Sequence, residues 1–295
     1  MKRSGLIALV SLALLAPLSV PAEPLCARDA LDRNVCLPEP APRIVSLSPG
    51  ATELLFSAGA GDLVVGVSAW SDFPAEAGKL PLVGDSNRLD LEAILALAPD
   101  LVVAWVDGNS RQQLERLEDL GVTVFWLAPR EFEDIARALE NLSVLSGTRE
   151  VGDAQAAAFR DGLAELEARY AEAPPIRVFY QIWDQPLMTI NRDELIGKAI
   201  ELCGGLNVFG HLPRLVPRIS REAVLEAAPE VIVTSGREGN DRQWLEDWTT
   251  FASLPAVAAG NLYLEPPDLL ARPTLRMLDG VNHLCQTLET ARARL

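Results

Sequence analysis

The chain has 295 residues, 49% of them hydrophobic, and a formal net charge of −15. That length accommodates two domains with packed cores, and no long charge block or Gly/Ser tract points to disorder. The acidic balance argues against nucleic acid as a partner and suits docking onto a basic surface.

Lys2 and Arg3 open the sequence, and the apolar run GLIALVSLALLAPLSV leads to Val20–Ala22. This pattern predicts a signal peptide over residues 1–22, cleaved after Ala22. The run is short and broken by Pro17, which counts against a retained membrane anchor. A proline-rich leader, residues 23–42, follows. In the oxidising compartment that export implies, Cys26, Cys36, Cys203 and Cys285 can form two disulfides. Three pairings are open, with Cys26–Cys36 the local option. No CxxC pair occurs and both histidines, His211 and His283, lie elsewhere, so no metal site is expected.

Residues 43–147 alternate strands and helices. RIVSLS reads as a strand, PGATELLFSAG as a helix, LVVGVS as a strand and RLDLEAILALAPDLVVAW as helix–turn–strand. SRQQLERLEDLG, VTVFWL and EFEDIARALENLSVLSG continue as helix, strand and helix. Such alternation predicts a parallel α/β sheet. Residues 148–173 are rich in Ala, Leu, Glu and Arg, which favours one helix roughly 35 Å long, ended by Pro174 and Pro175.

The α/β pattern restarts over residues 174–295. EAVLEAAPEVIV, from Glu222, nearly copies EAILALAPDLVV, from Glu92. Asp90 and Ser220 stand at matching positions as N-caps. The predicted fold is therefore two Rossmann-like α/β lobes joined by a single long interdomain helix, with a cleft between them. Ligands of open α/β sheets bind beyond the carboxyl ends of the strands. Trp70, Trp105 and Trp183 fall in those loops, which suits a flat, largely apolar ligand. Asp268 and Arg272 follow the last strand and could add polar contacts; their simpler reading is an i,i+4 surface ion pair.

RIVSLSPGATELLFSAGAGDLVVGVSAWSDFP, LDLEAILALAPDLVVAW, ELCGGLNVF, ISREAVLEAAPEVIV and DLLARP resemble the periplasmic cobalamin-binding proteins of bacterial ABC importers. The resemblance runs from Arg43 onward. It implies a periplasmic carrier that delivers cobalamin or a related corrinoid to an ABC permease and its ATPase subunits. It implies ligand contacts at Trp70, Trp105, Asp268 and Arg272, a Cys203–Cys285 disulfide, and permease docking through Glu92 and Glu222. The chain departs from the pattern at Ser86, Val216 and Ile182, positions where similar proteins can carry an aromatic ring, although Trp183 adjoins the last. A siderophore or haem carrier is the alternative within the same class. An enzyme is not expected, since no Gly-x-Ser-x-Gly elbow, Walker sequence or HExxH helix occurs. His283 reads as structural and His211 as a loop residue bordering the cleft. No cofactor is expected, and the carrier is expected to be a monomer.

Overall fold

A computed structural model describes residues 23–236 and 240–295. The signal peptide expected over residues 1–22 lies outside them. The described chain opens with a hairpin, β1 (Leu25–Arg28) and β2 (Asn34–Leu37). The first lobe contains β3 (Ile44–Ser46), α1 (Pro49–Ser57), β4 (Val64–Val67), α2 (Leu91–Ala96), β5 (Leu101–Trp105), α3 (Arg111–Asp119), β6 (Val124–Leu127) and α4 (Phe132–Ser146). The connecting helix is α5 (Arg149–Tyr170). The second lobe contains β7 (Ile176–Gln181), α6 (Leu195–Leu202), β8 (Gly205–Asn207), α7 (Arg221–Ala227), β9 (Val231–Ser235), α8 (Asn240–Glu246), α9 (Pro255–Ala258), β10 (Leu262–Glu265) and α10 (Met277–Arg292).

Each lobe holds a four-stranded parallel sheet, ordered β4-β3-β5-β6 and β8-β7-β9-β10. Numbered within its own lobe, each sheet therefore has the order 2-1-3-4. The duplication suggested by the repeated dodecamer extends to the whole topology, with α2–β5 and α7–β9 in equivalent places. Strands β3 and β6 are buried at every position, as expected of parallel strands covered by helices on both faces. Helix starts and stops follow local chemistry. Ser48 caps α1 by accepting a hydrogen bond from the Ala51 amide at 3.1 Å, with Pro49 at the first helical position. Gly147 ends α4 with a φ of 76°, the left-handed geometry that a glycine adopts without steric cost.

The connecting helix does not stand free between the lobes. It buries Ala156, Phe159, Leu166 and Tyr170 in one hydrophobic cluster that runs continuously from Ile44 of the first lobe to Leu288 of the second. Its glycines permit the close approach. A β-carbon at Gly152 would come within 2.3 Å of Ser143 on α4, and one at Gly162 within 2.5 Å of Leu278 on α10. The rod thus packs against a helix of each lobe, and the two sheets share a core through it.

The leader, read from sequence as proline-rich with a possible local disulfide, forms a hairpin in which Cys26 pairs directly with Cys36 and is bonded to it. It lies along the outer strand β6. The Ala30 amide donates to the Trp126 carbonyl at 2.9 Å, and Arg33 donates to the Val124 carbonyl at 3.0 Å. Arg33 also pairs with buried Asp29 and with Glu118. The hairpin so occupies two carbonyl acceptors that an open sheet edge would present to other chains. The second disulfide joins Cys203, which caps the end of α6, to Cys285 on α10. Among the described residues no helix is long and apolar enough to cross a membrane.

Candidate functional site

In both sheets the chain leaves the central pair of strands in opposite directions, so a crevice opens beyond β3 and β5 and beyond β7 and β9. This is the topological switch point at which open α/β sheets bind ligands. Trp105 is the last residue of β5 rather than part of the loop after it, and Trp183 stands two residues beyond β7.

Trp70 and Trp105 line one cavity of about 360 Å³, together with Ser68, Ser86, Asn109 and Arg272. Asn109 fixes the Trp105 end. Its side-chain oxygen accepts from the Trp105 amide at 2.7 Å and its nitrogen donates to the Leu47 carbonyl at 3.0 Å. The indole lies against the start of α1, where a β-carbon at Gly50 would meet Trp105 at 3.6 Å and Thr274 at 3.9 Å, both ordinary contacts. Trp70 is 79% exposed and has a φ of 67°. A bulky residue in left-handed backbone costs about 1–3 kcal/mol, and such strain concentrates at binding sites. The Ser68 hydroxyl in this cavity is buried and has no hydrogen-bond partner among the described residues.

Arg272 does not form the simple surface pair that its spacing from Asp268 suggested. Its side chain is 14% exposed, and it lies among three carboxylates. It meets Glu53 at 2.9 Å, Asp72 at 2.8 Å and Asp268 at 3.3 Å. Glu53, 2% exposed on α1 of the first lobe, also accepts from the Thr274 hydroxyl at 2.9 Å and lies 3.7 Å from Arg276. The Arg276 guanidinium stacks 4.1 Å from the Phe73 ring centroid. Burial alone would lower the Arg272 pKa, but hydrogen bonds to Asp72 and Glu53 and the charge of Asp268 raise it above its ordinary value. The guanidinium stays charged, joins the two lobes and still borders the cavity. Asp268, with a φ of 71°, is the second expected site residue in left-handed backbone.

Sequence reasoning did not single out Glu53, Asp72 or Thr274. Glu53 did leave a signal, as an acid inside the otherwise apolar helix GATELLF. Such a residue stays buried only with partners. Trp183 takes no part in lining the Trp70–Trp105 cavity. It is 52% exposed, donates to the Gln185 carbonyl at 3.1 Å and packs edge-on against Trp244. His211 is exposed in a turn and lines no part of the cavity. His283 pairs with the buried Glu265 carboxylate, whose other oxygen accepts from Thr287 at 2.8 Å, so its role is structural.

Glu92 and Glu222 occupy the first turns of α2 and α7, both exposed. These helices run back from the carboxyl edges of their sheets to feed β5 and β9, so both glutamates lie toward the same edge as the tryptophan loops. The caps match as well. Asp90 accepts from the Ala93 amide at 2.9 Å and Ser220 from the Ala223 amide at 3.2 Å. The Glu222 carboxyl is held below its ordinary range by its own amide and the Ser220 hydroxyl.

The periplasmic binding protein family model matches residues 44–269. A protein of Vibrio cholerae serotype O1 named vitamin B12-binding protein is 39% identical over 255 residues, covering 86% of this chain and 91% of the relative. The crystal structure of the periplasmic vitamin B12 binding protein BtuF of Vibrio cholerae matches with a TM-score of 0.78 and 37% identity, over 86% of this chain and 98% of that one. A periplasmic heme binding protein from Pseudomonas aeruginosa matches with a TM-score of 0.72 and 26% identity, over 83% of this chain and 91% of the other. The Cys26–Cys36 hairpin precedes the family match. By the extent of this match and the shared two-lobe α/β architecture, the chain belongs to the periplasmic binding protein family.

Proposed function

We propose that this protein is exported by cleavage after Ala22, captures cobalamin or a related corrinoid between its lobes, and delivers it as a monomer to an ABC permease and its ATPase subunits. The observation that carries this reading is a single cavity bordered by Trp70, Trp105 and the charged Arg272, drawn from both lobes. Indole faces suit a broad ring system, and a guanidinium suits the amides at its edge. The relatives named vitamin B12-binding protein support the choice of ligand. At about 360 Å³ the cavity takes one edge of such a macrocycle, and the rest lies outside it. The molecule is bound and released without turnover. Glu92 and Glu222, one per lobe on the cleft rim, are the anchors for permease arginines.

Calorimetry with cyanocobalamin, cobinamide, haem and ferric siderophores tests the ligand. The two corrinoids are expected to bind, and binding of haem alone would sink the reading. Trp105→Ala removes roughly 100 Å² of ring contact, about 2–3 kcal/mol, and is expected to weaken corrinoid binding by about 30- to 150-fold. Glu92→Ala with Glu222→Ala is expected to leave binding intact and impair uptake. Uptake at the wild-type rate would remove the docking role.

A further inference from the structure

Resting on that corrinoid reading of the cleft, we infer that Trp244 is a ligand-contacting residue, forming with Trp183 a two-indole wall on the second lobe. The rings meet edge to face, with centroids 5.7 Å apart at 65°. Neither is sealed by protein, since Trp183 is 52% exposed and Trp244 half-buried. The contrast lies four residues further on. Trp248 is 1% exposed, packs edge-to-face against Phe179 and donates to the Gln181 side chain at 2.8 Å. Trp248 is the core residue of this segment, and Trp244 carries the same aromatic stripe outward, to the loop at the end of β7.

The wall is held in place before any ligand arrives. Arg221 meets Asp184, the neighbour of Trp183, at 3.4 Å and Asp247 at 3.6 Å, with its guanidinium 5.6 Å from the Trp248 ring centroid. One cation thus ties the Trp183 loop to the segment that bears Trp244. Fixed, flat, water-exposed rings bind with little loss of side-chain freedom, because the ordering is already complete in the free protein. The class of ligand such a wall takes is a broad, weakly polar conjugated ring or the methyl- and amide-bearing edge of one. The edge-to-face arrangement leaves one indole presenting its face and the other its rim.

The test is corrinoid affinity, by titration with cyanocobalamin, in W244A, W244F and W244L beside W183A and W105A. W244A is expected to lose about tenfold or more in affinity and W244F to stay within about threefold of wild type. W244L keeps the volume without the flat ring and is expected to behave as W244A does, which keeps the test open if W244A does not fold. Affinity within twofold of wild type in W244A or W244L, with W105A and W183A still impaired, overturns the role of Trp244 and leaves the corrinoid reading standing. Absence of corrinoid binding by the wild-type protein removes both.

Discussion

The two lobes are most alike at the end of the sheet farthest from the cleft and least alike at the cleft itself. At the far end of the first lobe, the Arg43 amide donates to Asp100 at 3.1 Å, the Asp100 amide donates to the Arg43 carbonyl at 2.9 Å, and the Arg43 side chain reaches the Leu97 carbonyl. In the second lobe Arg177, Glu230 and Ala227 make the same three bonds. Even the backbone irregularity is shared, since Ala98 and Ala228 have φ values of 44° and 42° just before their prolines. At the cleft the solutions diverge. The first lobe builds a cavity around Trp105 and Asn109, and the second sets Trp183 edge-on against Trp244. Backbone groups at a strand start need partners whatever the protein binds, so a duplicated solution persists there. Cleft residues answer to the ligand, and the two sides of a ligand differ.

The largest expected effect comes from the disulfides, one in the leader hairpin and one in the second lobe, which differ in the loop they close. Cys203–Cys285 spans 82 residues and Cys26–Cys36 spans 10. Loop-closure entropy gives about 4.5 kcal/mol for the first and about 2.7 kcal/mol for the second. Paired Cys→Ala variants compared by urea unfolding should rank in that order, and a reversed ranking would mean that the hairpin contributes more than its covalent link.

Glu53→Ala comes next. It removes the most buried of the three carboxylates around Arg272, and breaking a buried pair costs about 3–5 kcal/mol. The nearby Asp72 and Asp268 carboxylates still compensate the guanidinium, so the lower figure is expected. Because Glu53 and Arg272 belong to different lobes, proteolysis should also quicken between them, a readout that a loss confined to one core would not give.

Ala98→Gly and Ala228→Gly relieve the same left-handed strain in each lobe. Each is expected to stabilise by about 0.5–1 kcal/mol, in equal measure and additively. Unequal gains in the unfolding midpoint would show that the repeat is no longer equivalent in energy.

The smallest effect distinguishes the caps of the equivalent helices α1 and α6. The first is capped by neutral Ser48, the second by Glu194, whose carboxylate accepts from the Ile196 amide at 2.6 Å. Burial pushes the Glu194 carboxyl above its ordinary range, against the backbone hydrogen bonds that lower it. A raised folded pKa contributes stability that is present below the unfolded value of about 4.3 and is lost as pH rises through the folded value. Relative to wild type, Glu194→Gln should therefore gain stability as pH rises from about 4 to about 7. A pH-independent difference would count against ionisation at this cap.

Local chemistry made much of the fold legible. Alternating strands and helices, the repeated EAxLxxAPxxxV segments, the Asp90 and Ser220 caps and the Gly147 stop each depend on residues close in the chain, so the sequence by itself determined the two α/β lobes, the long connecting helix and the strand-end position of Trp70, Trp105 and Trp183. What only the tertiary structure decided involves groups far apart in the chain. The leader forms a hairpin because β6 offers it an edge. The connecting helix merges the two cores because Gly152 and Gly162 meet partners from different lobes. Arg272 is drawn from a surface pair into an interlobe cluster because Glu53, more than 200 residues away, is buried beside it. Spacing along a chain reports periodicity and capping. It cannot report which distant charge will be left without water, and that desolvation is what assembles the floor of the cleft.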